Sequence, residues 1–318
     1  MNLTETLTEF ASDVIEGLSS HPKHLSSKYF YDHRGSMIFK DIMQMPEYYL
    51  TDCEFEIFNN HKAEIASKIY PDKSYFELIE LGAGDGFKTI VLLNFLVQQN
   101  VKFQYIPIDI SAKAIENLQL NLTKSLPNLF VKYKTGDYFK LIAGLNGTAP
   151  KLVLFLGSNI GNLTENESLS FLRQLRNVLN RGDKLLIGFD LKKDPEIILK
   201  AYNDPHGHTA AFNLNLLHRI NTELDANFNT DNFYHEETYD PQTGTATSFL
   251  ISKKEQTVRI NRTNSIFHFT ANEKISMEIS QKYDEAMINY FAENSGFAVE
   301  RNFSDSRSWF IDSLWKVV

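Results

Sequence analysis

YFELIELGAGDG, residues 75–86, decides how the rest of this chain is read. An apolar, β-prone run ends at Glu80-Leu81 and gives way to glycines at alternate positions, Gly82, Gly84 and Gly86. Phe87 to Leu93 follows with helical spacing, so the stretch predicts a strand, a tight turn and a helix start. Glycines at such a turn permit positive φ and let a ligand reach the backbone without a Cβ in the way. The helix N-terminus beyond them offers unpaired N–H groups. A nucleotide-like ligand is expected there, against the plainer reading of a turn that only packs a strand on a helix.

The spacing narrows the ligand. A dinucleotide fingerprint reads G-x-G-x-x-G and grips a pyrophosphate. Here the pattern is E-x-G-x-G-x-G, with Phe87 where the fingerprint has its last glycine. This variant resembles the first motif of class I S-adenosylmethionine-dependent methyltransferases, whose cofactor carries a sulfonium and an ammonium and no phosphate. Phe103–Asp109 reads as the next parallel strand, and its terminal Asp109 falls about 20 positions past the glycines, where doubly wound nucleotide sites place the carboxylate that pairs with ribose hydroxyls. Ser111 then caps an amphipathic run from Ala112 to Leu122.

Composition sets outer bounds. The chain has 318 residues, enough for one large domain or two, and its net charge of −8 argues against a general nucleic-acid or anionic-membrane surface. A single cysteine, Cys53, excludes an intramolecular disulfide and a cysteine-rich metal site. The histidines form no HExxH pattern, and His206 and His208 fall in a Pro/Gly-containing loop as solvated turn residues; no metal is expected. The N-terminus is amphipathic and acidic, and no run of about 18 apolar residues occurs, so the expectation is a cytoplasmic protein without a membrane or nucleic-acid partner.

Along the chain, residues 3–18 read as a helix with Leu3, Leu7, Phe10, Val14, Ile15 and Leu18 on one face. Between Lys28 and Thr51, rings and charges alternate without a period, which fits either a surface loop anchored by its aromatics or a lid over the cofactor. Thr51 to Tyr70 reads as helix, and Phe130–Lys134 as a short third strand before Gly136-Asp137-Tyr138. The apolar run Lys151 to Leu156 reads as a central parallel strand, delivering Gly157, Gly161 and Asn162 to the carboxyl edge of the sheet. Thr164 and Glu167 have capping-box spacing, and Lys184–Asp190 is a fifth strand.

From about Asp194 the βα rhythm stops. Pro195 to Glu223 reads as mostly helical with a break at Asn203 to His208, and Phe233 to Ile260 as a hairpin turning at Asp240 to Gly244. Thr270 and Glu273 repeat the capping-box spacing, leaving Met277 to Ser280 as strand or helix end; Tyr283 to Asn294 is helical, and Phe297 to Phe303 and Trp309 to Val318 are closing strands.

The segments FYDHRGSMIF, MPEYYLT, ELGAGDGFKT, FLGSNIGN, Ala201-Tyr202 with Thr209 to Asn213, and MEISQKY resemble, in the same order, the histidine-specific Nα-methyltransferases that begin ergothioneine biosynthesis. Leu50 stands where proline is common after the paired tyrosines. The resemblance spans nearly the whole chain. It implies an α/β class I methyltransferase core, Rossmann-like, over residues 56–192 and 283–318, with an inserted α+β substrate-binding domain from residues 1–55 and 193–282.

By the same resemblance, S-adenosyl-L-methionine would be held by Tyr31, Gly82, Lys88, Asp109, Asp137 and Tyr138. L-histidine would be held by Tyr48, Gly157, Asn162, Tyr202, Glu278 and Ser280, with Tyr31 and Asn162 closest to the chemistry. Glu278 and Ser280, two apart and on one side if extended, suit the two nitrogens of an imidazole. The implied reaction is three successive methyl transfers to the α-amino nitrogen, giving hercynine, by a protein expected to be a monomer. The competing readings are a methyltransferase for another amino acid or amine, and a silent binding protein of the same fold.

Overall fold

A computed structural model describes residues 3–69 and 75–318, with side-chain surroundings in the N-terminal helix from residue 8 onward. The side chains of Leu3 and Leu7, and Tyr70 at the expected end of the second long helix, lie outside the described residues. The chain divides into two compact units, residues 1–48 with 194–280 and residues 49–193 with 281–318.

The second unit is built on a seven-stranded sheet. From one edge its strands are Phe297–Ser304, Phe310–Val317, Lys184–Asp190, Lys151–Phe155, Phe76–Leu81, Phe103–Asp109 and Lys134–Thr135. The last five run parallel to one another, and Phe310–Val317 is antiparallel to both of its neighbours. Lys151–Phe155 is buried along its whole length, as the unbroken apolar run requires of a strand covered on both faces. One face carries Phe171, Leu172 and Leu175 of helix Glu165–Val178 and Ile288 and Phe291 of helix Glu285–Asn294. Helix Leu50–Ile69 packs against Phe310–Val317 and against helix Thr89–Gln98.

Strand order reverses between Phe76–Leu81 and Lys151–Phe155, because the chain first extends the sheet to one side and then returns to build the other. The carboxyl ends of that pair form the switch point where open α/β sheets bind ligands. Residues 82–88 follow one strand there and residues 156–162 the other.

The first unit has a four-stranded sheet, ordered Lys23–His24, Lys274–Gln281, Thr245–Ser252 and Phe233–Asp240, and a separate antiparallel pair, Gln256–Ile260 with Ser265–Phe269. Phe10, Val14 and Leu18 from the N-terminal helix share a core with Phe212, Leu216 and Ile220 of helix His208–Leu224 and with the inward residues of these strands. Burying each such side chain stabilises by about 1.5–3 kcal/mol.

Several expectations need correction. Helix Thr89–Gln98 begins two residues later than its apolar spacing suggests, because Phe87 and Lys88 belong to the glycine turn. Phe130–Lys134 is not a continuous strand: Val131 makes one bridge to Tyr105, and only Lys134–Thr135 pairs regularly. The hairpin ends at Ser252, and Gln256–Ile260 turns away to pair with Ser265–Phe269. Thr270 and Glu273 do make the capping contact, Thr270 N–H donating to Glu273 Oε2 at 2.8 Å, but a strand follows instead of a helix. The first part of the aromatic segment after Lys28 is helical and not a loop. It forms a 3-10 turn, Ser27–Tyr29, and helix His33–Met43, capped by Asp32 accepting from Gly35 N–H at 2.6 Å, with Tyr29 and Phe30 in the core.

Candidate active site

The glycine turn adopts the backbone its composition calls for. Gly82, Gly84 and Gly86 have φ of +74°, +55° and +71°, a region that costs other residues roughly 1–2 kcal/mol. A methyl group on Gly84 would meet nothing within 4 Å, so the centre of the turn faces open space. On Gly82 it would lie 3.0 Å from Asn159 Nδ2, where the second loop approaches, and on Gly86 it would collide with Leu118.

Asp109 organises the adjoining edge. Its Oδ2 accepts from Gly84 N–H at 2.9 Å, its Oδ1 from Ser111 N–H at 2.8 Å, and its carbonyl from Gly136 N–H at 2.8 Å. Burial pushes its carboxyl up, while the Ser111 and Gly84 N–H groups pull the other way. Each oxygen keeps a lone pair for a further donor. The following Asp137 caps the short helix Tyr138–Leu141 by accepting from Phe139 N–H at 2.9 Å, and the Tyr138 ring packs edge-on against Phe155 at 5.6 Å and Phe171 at 6.0 Å. Gly82 N–H donates to the Ile108 carbonyl at 2.8 Å, and the Asp109 carbonyl holds Gly136, the residue before Asp137 and Tyr138, so these residues follow one sheet edge.

On the other side of the switch point, Gly157 (φ +72°) and Ser158 (φ +55°) turn the chain into the 3-10 segment Asn159–Asn162. Gly161 has no room for a side chain, since a methyl would lie 2.9 Å from the Gln281 carbonyl. Lys88, at the start of helix Thr89–Gln98, is ion-paired with Glu54 of helix Leu50–Ile69, and Glu54 Oε1 also accepts from Gly157 N–H at 2.8 Å. This contact brings Lys88 and Gly157 together; a methyl on Gly157 would sit 3.5 Å from Lys88 Nζ.

The remaining expected residues lie in the first unit, and an aromatic chain connects them. Tyr31 meets Phe39 edge-on at 5.3 Å, Phe39 meets Tyr48 at 6.2 Å, and Tyr48 meets Tyr202 at 6.1 Å. The Tyr202 hydroxyl is 3.0 Å from Ser280 Oγ. Strand Lys274–Gln281 is extended, so half-buried Glu278 and buried Ser280 project from the same side. Phe39 and Phe212, which brace Tyr31, were missed as site supports, although both occur inside the segments that carry the family resemblance.

Two buried carboxylates were also missed. Glu80 accepts from the Thr89 and Tyr105 hydroxyls, tying the glycine-turn strand to the next helix and strand; burial raises its pKa to about 7 against those two hydrogen bonds. Asp190 gathers the Tyr49 hydroxyl at 2.9 Å, Lys282 Nζ at 2.8 Å and Lys193 Nζ. Burial alone would raise the Asp190 carboxyl, and the charges of Lys282 and Lys193 instead hold it below the usual range. Tyr49, Lys193 and Lys282 each lie within two residues of a point where the chain passes from one unit to the other. Glu80 opens the E-x-G-x-G-x-G pattern, yet nothing local marks the partners of either carboxylate, most of which come from other elements.

A reversed-order seven-stranded sheet with a left-handed glycine turn at its switch point and an acidic residue ending the adjacent strand defines a class I S-adenosylmethionine-dependent methyltransferase. The solved mitomycin 7-O-methyltransferase MmcR shares this fold, with a TM-score of 0.50 over 99% of this chain and 67% of that one at 12% identity. The model of the histidine-specific, S-adenosylmethionine-dependent methyltransferases matches residues 10–317. Histidine N-alpha-methyltransferases of Mycobacterium tuberculosis (strain CDC 1551 / Oshkosh) and Mycolicibacterium smegmatis (strain ATCC 700084 / mc(2)155) are each 35% identical over 271 residues, spanning 85% of this chain and 83% of theirs. The chain belongs to this family of histidine-specific methyltransferases.

Proposed function

We propose that this protein methylates the α-amino nitrogen of L-histidine three times, forming hercynine as the first step toward ergothioneine, and that it works as a cytoplasmic monomer. The observation that carries the reading is the combination of the open glycine cradle with a Tyr202–Ser280 hydrogen bond beside Glu278, in a chain of this family. Among the described residues no helix is long and apolar enough to cross a membrane.

The cradle suits S-adenosylmethionine: Gly84 leaves the space a Cβ would fill, and Asp109 keeps lone pairs for ribose hydroxyls. Gly82, Lys88, Asp109, Asp137 and Tyr138, with Tyr31, would hold it, Lys88 matching its carboxylate. When bound it supplies an electrophilic methyl on a positively charged sulfur. The protein's own work is to present an uncharged amine in line with that methyl, which is mostly positioning and exclusion of water. Asn162 and Gly157 orient the nitrogen, while Tyr48 and Tyr202 hold the amino-acid end. Tyr31 relays the proton the nitrogen loses at each transfer. Glu278 accepts from one imidazole nitrogen, and the Ser280 hydroxyl, oriented by Tyr202, meets the other.

The test is incubation with histidine and S-adenosylmethionine followed by mass spectrometry, with products carrying one, two and three added methyls expected. Absence of product at saturating cofactor sinks the proposal. Glu278→Ala removes a charge-assisted contact worth about 1.5–3 kcal/mol, so KM for histidine should rise roughly 10- to 100-fold with cofactor affinity unchanged. Unchanged histidine KM would assign the enzyme to another amine.

A further inference from the structure

The pair Glu54 and Asp312 lies beneath two of the proposed site residues and is used by no step above. Both side chains are fully enclosed. Glu54 sends one oxygen to Gly157 N–H at 2.8 Å and the other to Lys88 Nζ. Gly188 makes room for it: a methyl there would lie 2.5 Å from Glu54 Oε1. Asp312, the strand partner of Gly188, has both oxygens buried and receives no hydrogen bond from any donor among the described residues.

The groups facing Asp312 decide its state. On helix Leu50–Ile69 it faces the Glu54 carboxylate, and beyond Glu54 stands Lys88; its strand partners Gly188 and Phe303 carry no charge. Two adjacent carboxylates with one ammonium cannot both stay ionised in an enclosed site. Glu54 has the Gly157 N–H donor and the Lys88 cation, so the proton belongs on Asp312. Once protonated, Asp312 has a hydroxyl to donate, and Glu54 is the acceptor beside it. Burial first, and then the Glu54 charge, raise the Asp312 carboxyl well above its ordinary range, against the pull of Lys88.

We infer that Asp312 is a neutral acid that donates to Glu54 and thereby fixes Glu54 as a positioning residue, setting the Lys88 ammonium and the Gly157 turn for the carboxylate of the methyl donor. The inference rests on the cofactor reading above. A donor at position 312 keeps Glu54 aimed at Lys88 and Gly157. Without it, the Glu54 carboxylate is free to turn and Lys88 loses its fixed place. A carboxylate at 312 would add a second anion beneath Lys88 and compete with the ligand for it.

Binding of S-adenosylhomocysteine, measured by calorimetry on the full chain, separates these roles. Asp312→Leu should weaken binding at least tenfold, and Asp312→Asn, which restores a donor without a charge, should recover it to within threefold of the parent. If both neutral variants weaken binding equally, Asp312 acts as an anion and the inference fails; if neither does, the pair is only structural and it fails as well. Should the variants not fold, infrared spectra of the unmodified protein at about pH 8, where Glu80 is mostly ionised, should still contain a protonated-carboxyl stretch, and its absence would overturn the claim. Failure of the unmodified protein to bind S-adenosylhomocysteine would overturn the cofactor reading and this inference together.

Discussion

Replacing Glu80 with glutamine should change how the second unit responds to pH. The Glu80 carboxyl is buried, and folding raises its pKa from 4.5 to about 7. Below pH 4.5 folded and unfolded chains both hold the proton; between 4.5 and 7 the unfolded chain releases it while the folded one keeps it. Stability from this group is therefore fully present at acid pH and is lost as pH rises through 7. A rise of this size is worth about 3 kcal/mol. Glutamine is close in shape and can bond to the Thr89 and Tyr105 hydroxyls, but it does not titrate. Urea unfolding of both proteins at about pH 5 and about pH 8 is the assay. The chain's two tryptophans, Trp309 and Trp315, lie in the same unit as Glu80, so their fluorescence follows the relevant transition. On passing from the lower to the higher pH, the variant should gain about 2.5 kcal/mol relative to the parent, since pH 5 already lies above the unfolded pKa. A stability difference that stays constant across that range would refute the assignment of a buried, proton-holding Glu80.

Two further outcomes follow from the site. Gly84→Ala should cost about 1–2 kcal/mol of stability from its left-handed φ, yet weaken S-adenosylhomocysteine binding by much more, because the methyl enters the open cradle; calorimetry beside thermal unfolding distinguishes the two effects. Tyr49→Phe removes a hydroxyl from the enclosed Asp190 cluster and should lower stability by roughly 1–3 kcal/mol in urea unfolding, while leaving S-adenosylhomocysteine affinity within a few-fold.

What was readable before the structure shares one property: it is local. The glycine turn, the strand ending at Asp109, the Ser111 cap and the Thr164/Glu167 capping box each depend on residues a few positions apart, so spacing alone specifies them. Family resemblance extended this to the whole chain. The errors fall where locality fails. Phe130–Lys134 has strand composition but sits beside a sheet edge where only Lys134–Thr135 finds regular pairing, and Thr270 with Glu273 has a helix-start spacing ahead of residues recruited into a strand.

By itself, the sequence determined the α/β class, the place of the glycine turn and the family, because periodicity, alternate glycines and motif order survive without coordinates. Only the tertiary structure decided that Tyr31, Phe39, Tyr48, Tyr202 and Ser280 form one connected series, that Asp109 anchors both Gly84 and Gly136, and that Glu54, Asp312 and Asp190 are enclosed. A carboxylate reads the same in a sequence whether it meets water or a buried lysine. Its partners, its proton and its role are set by the distant segments that folding brings against it.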